Sequence, residues 1–183
     1  MAKQMNENDG LMRFPKPVLG FYALPGAGKS TLIIALLTLL KSQGLRIAVI
    51  NQTQNYSDRE QAEKGRLELT RAGAEQVLTV SDQTPAEVEF GNLVDRLDLQ
   101  KIDLILVDGF GHLPFARIEL YRPSQGNKLL FTEDASVIAV ASDEYLETGG
   151  IPLLNINLPQ EVAGYISRWL RNHPLTAKST ATV

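Results

Sequence analysis

A lysine and two hydroxyls, Lys29-Ser30-Thr31, follow two closely spaced glycines, Gly26 and Gly28. That order of residue types is suited to holding a polyphosphate. The glycines can take backbone angles closed to other residues, so successive N–H groups can turn inward around an anion. A helix beginning near Lys29 adds its free N-terminal N–H groups and the positive end of its dipole. Lys29 brings a mobile positive charge to β- and γ-phosphates, and the Ser30 hydroxyl is a hard oxygen ligand of the kind Mg2+ takes. The full run, Ala23-Leu24-Pro25-Gly26-Ala27-Gly28-Lys29-Ser30-Thr31, is a P-loop with alanine in place of its first glycine. It assigns phosphate contacts to Pro25, Gly26, Ala27, Gly28, Lys29, Ser30 and Thr31, and makes Lys29 the catalytic candidate. The expected ligand is a nucleoside triphosphate with Mg2+.

A second segment supports the metal. Leu104-Ile105-Leu106-Val107-Asp108 has the pattern of a Walker B strand, apolar residues with a carboxylate at the tip. Asp108 can hold a magnesium-bound water while Ser30 ligates the ion directly; taken alone, Asp108-Gly109 also reads as a turn ending a buried strand. Asn51-Gln52-Thr53-Gln54-Asn55-Tyr56-Ser57-Asp58 offers amides and hydroxyls that orient groups by hydrogen bonding but are poor general bases. Asp58 reads first as a helix N-cap. Asp143, after Val140-Ala141-Ser142, can accept hydrogen bonds from guanine N1–H and its exocyclic amine, or serve as a loop cap. His112 and His173 stand apart with no metal-ligand spacing, and Trp169 reads as core.

These residues need a scaffold that brings distant segments together. An apolar strand is expected over 18–23, followed by a helix over 29–43 stopping at Gly44, a left-handed C-cap. Strands are expected over 46–51, 76–80, 103–107, 117–121, 137–141 and 151–155. Helices are expected over 59–72, from Thr84-Pro85 to about residue 97, and over 159–172 with Ile166, Trp169 and Leu170 on one face. Strands alternating with helices predict an α/β chain, a three-layer P-loop NTPase fold with a mostly parallel central sheet. Loops at the C-terminal strand ends then form the ligand rim. The expected division is a flexible 1–14, a nucleotide-binding domain over 15–173 and a flexible tail over 174–183.

Composition limits the alternatives. A net charge of −3, with no basic block longer than two residues, argues against a nucleic-acid surface. The longest apolar run, 32–40, is interrupted by Thr38 and is too short to span a bilayer. Residues 1–10 lack the apolar stretch of a signal peptide, so the expected location is cytoplasmic. The absence of cysteine excludes disulfides and Cys-based zinc sites.

The order of these features resembles the MobB family of molybdopterin-guanine dinucleotide biosynthesis adapter proteins. The P-loop is followed by Gly44-Leu45-Arg46-Ile47-Ala48-Val49-Ile50, a helix ending Thr70-Arg71-Ala72-Gly73-Ala74, and Leu97-Asp98. Then come Ile102-Asp103-Leu104-Ile105-Leu106-Val107-Asp108-Gly109-Phe110, Ala116-Arg117-Ile118-Glu119-Leu120-Tyr121-Arg122, and Val137-Ile138-Ala139-Val140-Ala141-Ser142-Asp143. The likeness spans roughly residues 18 to 170. It implies a GTP-binding homodimer that assists a molybdopterin guanylyltransferase-type partner and hydrolyses GTP slowly or not at all. Gly26, Gly28, Lys29, Ser30 and Thr31 carry over as phosphate and Mg2+ residues, and Asp108 stands where the family usually has Glu.

Departures from the family pattern lie on the rim. The usual Lys-His-Thr-His-His after the second strand is Asn51-Gln52-Thr53-Gln54-Asn55 here, and the usual Lys after Gly-Phe is Gly111. The family's Pro-Gly-Lys-Asp-Ser-Tyr run becomes Gln61-Ala62-Glu63-Lys64-Gly65-Arg66. Fewer cations should weaken binding of anionic molybdopterin, leaving a diverged, non-hydrolysing nucleotide-binding paralogue as one alternative. A small P-loop kinase acting on a metabolite is another, with Arg117 and Arg122 as its candidate lid arginines.

Overall fold

Backbone chemistry sets where the first helix ends. Gly44 has φ 86°, its N–H donates to Lys41 O at 2.9 Å, and the Leu45 N–H donates to Leu40 O at 3.1 Å. This is a Schellman turn, and it satisfies carbonyls the helix leaves unpaired. The computed structural model describes residues 4–5, 11–53, 59–81, 86–126 and 128–172. Thr84, Pro85, Asp58, His173 and the 174–183 tail lie outside the described residues.

In chain order the elements are β1 (Gln4–Met5), β2 (Met12–Arg13), β3 (Val18–Ala23), α1 (Lys29–Ser42), β4 (Ile47–Thr53), α2 (Arg59–Ala72) and β5 (Gln76–Ser81). There follow α3 (Ala86–Asp95), β6 (Leu104–Asp108), β7 (Arg117–Tyr121), β8 (Val137–Ser142), β9 (Leu153–Asn155) and α4 (Pro159–Asn172). Strands β3 to β9 form a seven-stranded sheet in the order β5-β4-β6-β3-β7-β8-β9. Every neighbouring pair in it is parallel. The fold is α/β, as the alternation of elements predicts. The last strand, expected over 151–155, is Leu153–Asn155, with Pro152 O accepting the Val140 N–H at 2.9 Å at its start.

The two faces of the sheet are covered unequally. On one, Leu32, Ile33, Leu36, Leu37 and Leu40 of α1 pack with Val162, Ala163 and Ile166 of α4, and Leu69 and Ala72 of α2 pack against them. Helix α1 is apolar nearly all round because it lies between the sheet and its neighbouring helices. Trp169 packs half-buried against this cluster. On the opposite face α3 supplies Phe90, Leu93 and Val94, and the remaining cover comes from loops. Phe90 meets Phe14, Phe110 and Phe115 at ring separations of 5.1, 5.1 and 5.3 Å. Residues 12 and 14, expected to belong to a loose N-terminus, are part of this core. Met12 is buried, its N–H donates to Pro114 O at 2.6 Å, and Phe14 packs edge-on against Phe90. Burial of apolar surface outweighs the polar composition of the segment before them.

Two charged residues of β7 are buried and brace loops. Glu119, 1% exposed, accepts from the N–H groups of Leu130 at 2.7 Å and Phe131 at 2.9 Å. Burial pushes its carboxyl above the usual glutamate range, and the two N–H donors partly offset that cost. Glu119→Ala removes both acceptors at once and is expected to cost about 3 kcal/mol, read as a lowered urea midpoint with an unchanged m-value.

Candidate functional site

The P-loop leaves β3 between β6 and β7, in the middle of the sheet. Gly26 has φ 85° and Gly28 φ 92°, and Gly28 is also the N-cap residue of α1. Left-handed angles at these two residues bend the loop around one side, while the N–H of Ala27 between them turns back to Leu24 O at 3.2 Å. Around them Ala23, Leu24, Pro25, Gly26, Gly28, Lys29, Ser30 and Thr31 line a cavity of about 440 Å3. The seven expected phosphate residues therefore lie on one continuous turn, and all but Ala27 line this concavity. Ala27 is 1% exposed and packs inward, its methyl group among the core residues beneath the loop.

Asp108 is brought beside the loop by strand pairing. It sits opposite Phe21 of β3 on one side and Asn51 of β4 on the other. The Lys29 ammonium contacts its carboxylate, with the two side chains 25% and 15% exposed. Burial holds the lysine below its ordinary pKa, and the carboxylate is the charge that compensates its partial desolvation. Ser30, Asn51 and Asp108 line a second cavity of about 130 Å3 next to it. A hydroxyl, an amide and a carboxylate are hard oxygen donors, so the residues present fit Mg2+. Among the described residues no group of three or more His, Cys, Asp or Glu side chains converges. A magnesium ion held largely by phosphate oxygens and water does not need one.

Asp143 occupies a different part of the rim, beyond β7. Its carboxylate accepts from Arg122 Nη1 at 2.5 Å. The same guanidinium donates from Nε to Ala27 O at 3.2 Å and from Nη2 to Asn157 Oδ1 at 3.4 Å. Gln125 Nε2 donates to Pro25 O at 3.4 Å. Both of the candidate lid arginines are thus tied down. Arg117, 2% exposed, donates to the carbonyls of Gly111 and Leu113 and lies over the Phe115 ring at 5.4 Å. Arg122 lies against the back of the P-loop.

At the polar end of β4, which extends past the expected 46–51 to Thr53, a side chain turns inward as well. Gln52 Oε1 accepts the Phe110 N–H at 2.8 Å. Its side chain fills the space beside Gly109, which has φ 111°, while Phe110 has φ 54°. Gln52 therefore shapes the turn after Asp108. His112 is exposed in that turn. Sequence reading missed the structural parts played by Gln52, Gln125 and Asn157. The available signal was weak: Arg122-Pro123-Ser124-Gln125-Gly126 has the Pro and Gly of a tight turn, but turn composition does not say which loop it meets.

Residues 18–143 match the family model described as "Molybdopterin guanine dinucleotide synthesis protein B". The chain is 37% identical over 165 residues to the molybdopterin-guanine dinucleotide biosynthesis adapter protein of Escherichia coli (strain K12), covering 85% of this chain and 94% of that one. It is 31% identical over 163 residues to the adapter protein of Haemophilus influenzae, covering 85% and 90% respectively. A solved MobB protein homolog from Bacillus stearothermophilus has the same fold, with a TM-score of 0.59 at 16% identity over 85% of this chain and 98% of that one.

Proposed function

The chain belongs to the MobB family, and from that premise we propose that it is a GTP-binding accessory protein in molybdopterin guanine dinucleotide biosynthesis, hydrolysing GTP slowly or not at all. The observation that carries this reading is the convergence of the P-loop, Lys29, Ser30 and Asp108 on one rim inside the matched region. Lys29 would leave Asp108 to neutralise the β- and γ-phosphates, and the main-chain N–H groups of Gly26 and of Gly28 to Thr31 would hold the phosphate oxygens, that of Ala27 being taken by Leu24 O. Ser30 and Asp108 would hold Mg2+, which supplies neutralisation of phosphate charge when bound. Slow hydrolysis fits the neutral end of β4. Asn51 and Thr53 are not bases at neutral pH, and the Gln52 carbonyl is already engaged by Phe110.

The proposal includes a guanylyltransferase-type partner, a homodimer and a cytoplasmic setting. Among the described residues, no helix is long and apolar enough to cross a membrane. The neutral Asn51, Gln52 and Thr53 favour weak contact with a second anionic ligand, so the chain's main ligand would be the nucleotide.

Calorimetric titration with MgGTP and MgATP tests the reading, alongside an assay of GMP transfer to molybdopterin by a purified guanylyltransferase with and without this chain. Heat with MgGTP and faster transfer are expected. No heat with either nucleotide would overturn it. Ser30→Ala is expected to retain metal-free GTP binding and to lose most of the gain in affinity that Mg2+ brings, about tenfold for a lost oxygen ligand and its charge-assisted contacts. The same titration with and without EDTA reads this.

A further inference from the structure

A loop that cradles phosphate with its N–H groups must turn its carbonyls the other way. The peptide unit is planar, with N–H and C=O pointing in opposite directions. The carbonyl of Pro25 shares a plane with the N–H of Gly26, and that of Ala27 with the N–H of Gly28. Those two carbonyls are the ones taken by side chains from the turn that follows β7: Pro25 O by Gln125 Nε2 and Ala27 O by Arg122 Nε. We propose that Arg122 and Gln125 are positioning residues that hold the P-loop peptide planes with their N–H groups toward phosphate, and that Asp143 acts on the nucleotide through Arg122, without touching the base. This rests on the nucleotide-site reading above.

The geometry favours a clamp over a surface ion pair. A guanidinium carries five N–H donors in one rigid plane. Arg122 directs them to acceptors on three separate loops: Ala27 after β3, Asp143 after β8 and Asn157 after β9. Its Nη2 would lie 3.8 Å from a side-chain carbon added at Gly28, so the cation sits directly behind that residue. A positive charge on the Ala27 carbonyl polarises the peptide and makes the Gly28 N–H a stronger donor. Asp143 and Asn157 fix the orientation of the guanidinium. The turn that carries these groups is itself pinned: Pro123–Gln125 forms a single 3-10 turn closed by Gly126 at φ 66°.

The test compares a base-free probe with two bases. Binding of magnesium tripolyphosphate, MgGTP and magnesium xanthosine triphosphate is measured for the wild type, Arg122→Met, Gln125→Leu, Asp143→Asn and the Arg122→Met/Asp143→Asn double variant. Arg122→Met is expected to weaken all three ligands by a common factor of about tenfold. Asp143→Asn should weaken all three by a smaller common factor, roughly threefold, and add nothing to Arg122→Met. The Gly28 amide resonance should move upfield in Arg122→Met while that of the remote Gly44 stays in place, a change that general loosening of the fold would not confine to one glycine. Should Arg122→Met fail to fold, Gln125→Leu and Asp143→Asn carry the same comparison. A base reader behaves differently: Asp143→Asn would shift preference from GTP toward the xanthosine nucleotide and leave tripolyphosphate unchanged, and that result overturns the proposal. Unaltered affinities in Arg122→Met overturn it alone. A wild type that binds none of the ligands overturns the nucleotide reading and this inference together.

Discussion

Lys29→Ala is expected to abolish the thermal stabilisation that Mg-nucleotide gives this protein. A ligand at about 100 times its Kd stabilises the folded state by about 2.7 kcal/mol, a rise in Tm of roughly 8 °C for a chain of this length. The variant should show a rise of no more than about 1 °C at the same ligand concentration. The loop would keep its N–H groups, but the charge that meets the β- and γ-phosphates is gone, and charge-assisted contacts to two phosphates are worth about a hundredfold or more in affinity. The ligand-free variant should melt within a few degrees of the wild type. Its lost partner, Asp108, keeps access to water at 15% side-chain exposure, and a partly buried ammonium no longer has to be desolvated. Differential scanning fluorimetry with GTP, ATP and GDP reads both effects. Stabilisation equal to that of the wild type would mean that phosphate does not enter the concavity lined by residues 23 to 31.

Gly109→Ala should produce the largest loss of intrinsic stability near the site. Gly109 has φ 111°, and an added Cβ would sit 2.5 Å from Gln52 Cβ and 2.9 Å from Gln52 Oε1. The first of these atoms belongs to the root of a strand side chain, so it cannot swing away as a flexible tip would. Backbone strain of about 1–3 kcal/mol adds to overpacking of similar size, giving an expected loss of about 3–4 kcal/mol and a drop in Tm of roughly 10 °C. The Gln52–Phe110 hydrogen bond should be lost with it, and the turn that holds Asp108 should move. A double-mutant cycle with Gln52→Gly separates the two causes. Relief of the collision predicts a coupling of about 1–2 kcal/mol, whereas no coupling would assign the whole effect to the backbone angle.

Both predictions concern the turn chemistry of a single rim, yet they were not equally visible beforehand. Lys29 is legible because its neighbours define its role: glycines that take φ 85° and 92° and a helix that starts beside it are properties of a short run of chain. Gln52 is not. Its neighbours identify a polar loop after a strand, while its action on Gly109 and Phe110 depends on β4 lying next to β6. The same holds for Phe14, whose polar surroundings suggest a loose segment and whose ring is placed by Phe90.

The phosphate loop, the alternation of strands and helices, the stop at Gly44 and the acidic tip of β6 are legible in short stretches of the chain. Each depends on torsional preferences and apolar periodicity within a few residues. That Asp143 meets Arg122, and that Arg122 and Gln125 take the outward carbonyls of the P-loop, follows from the packing of segments far apart in the chain. In a parallel sheet the crossover connections let sequence neighbours lie apart and distant strands lie together. Which loop ends meet is therefore a consequence of the order β5-β4-β6-β3-β7-β8-β9, a property of how the whole chain buries its apolar faces and of no local run within it.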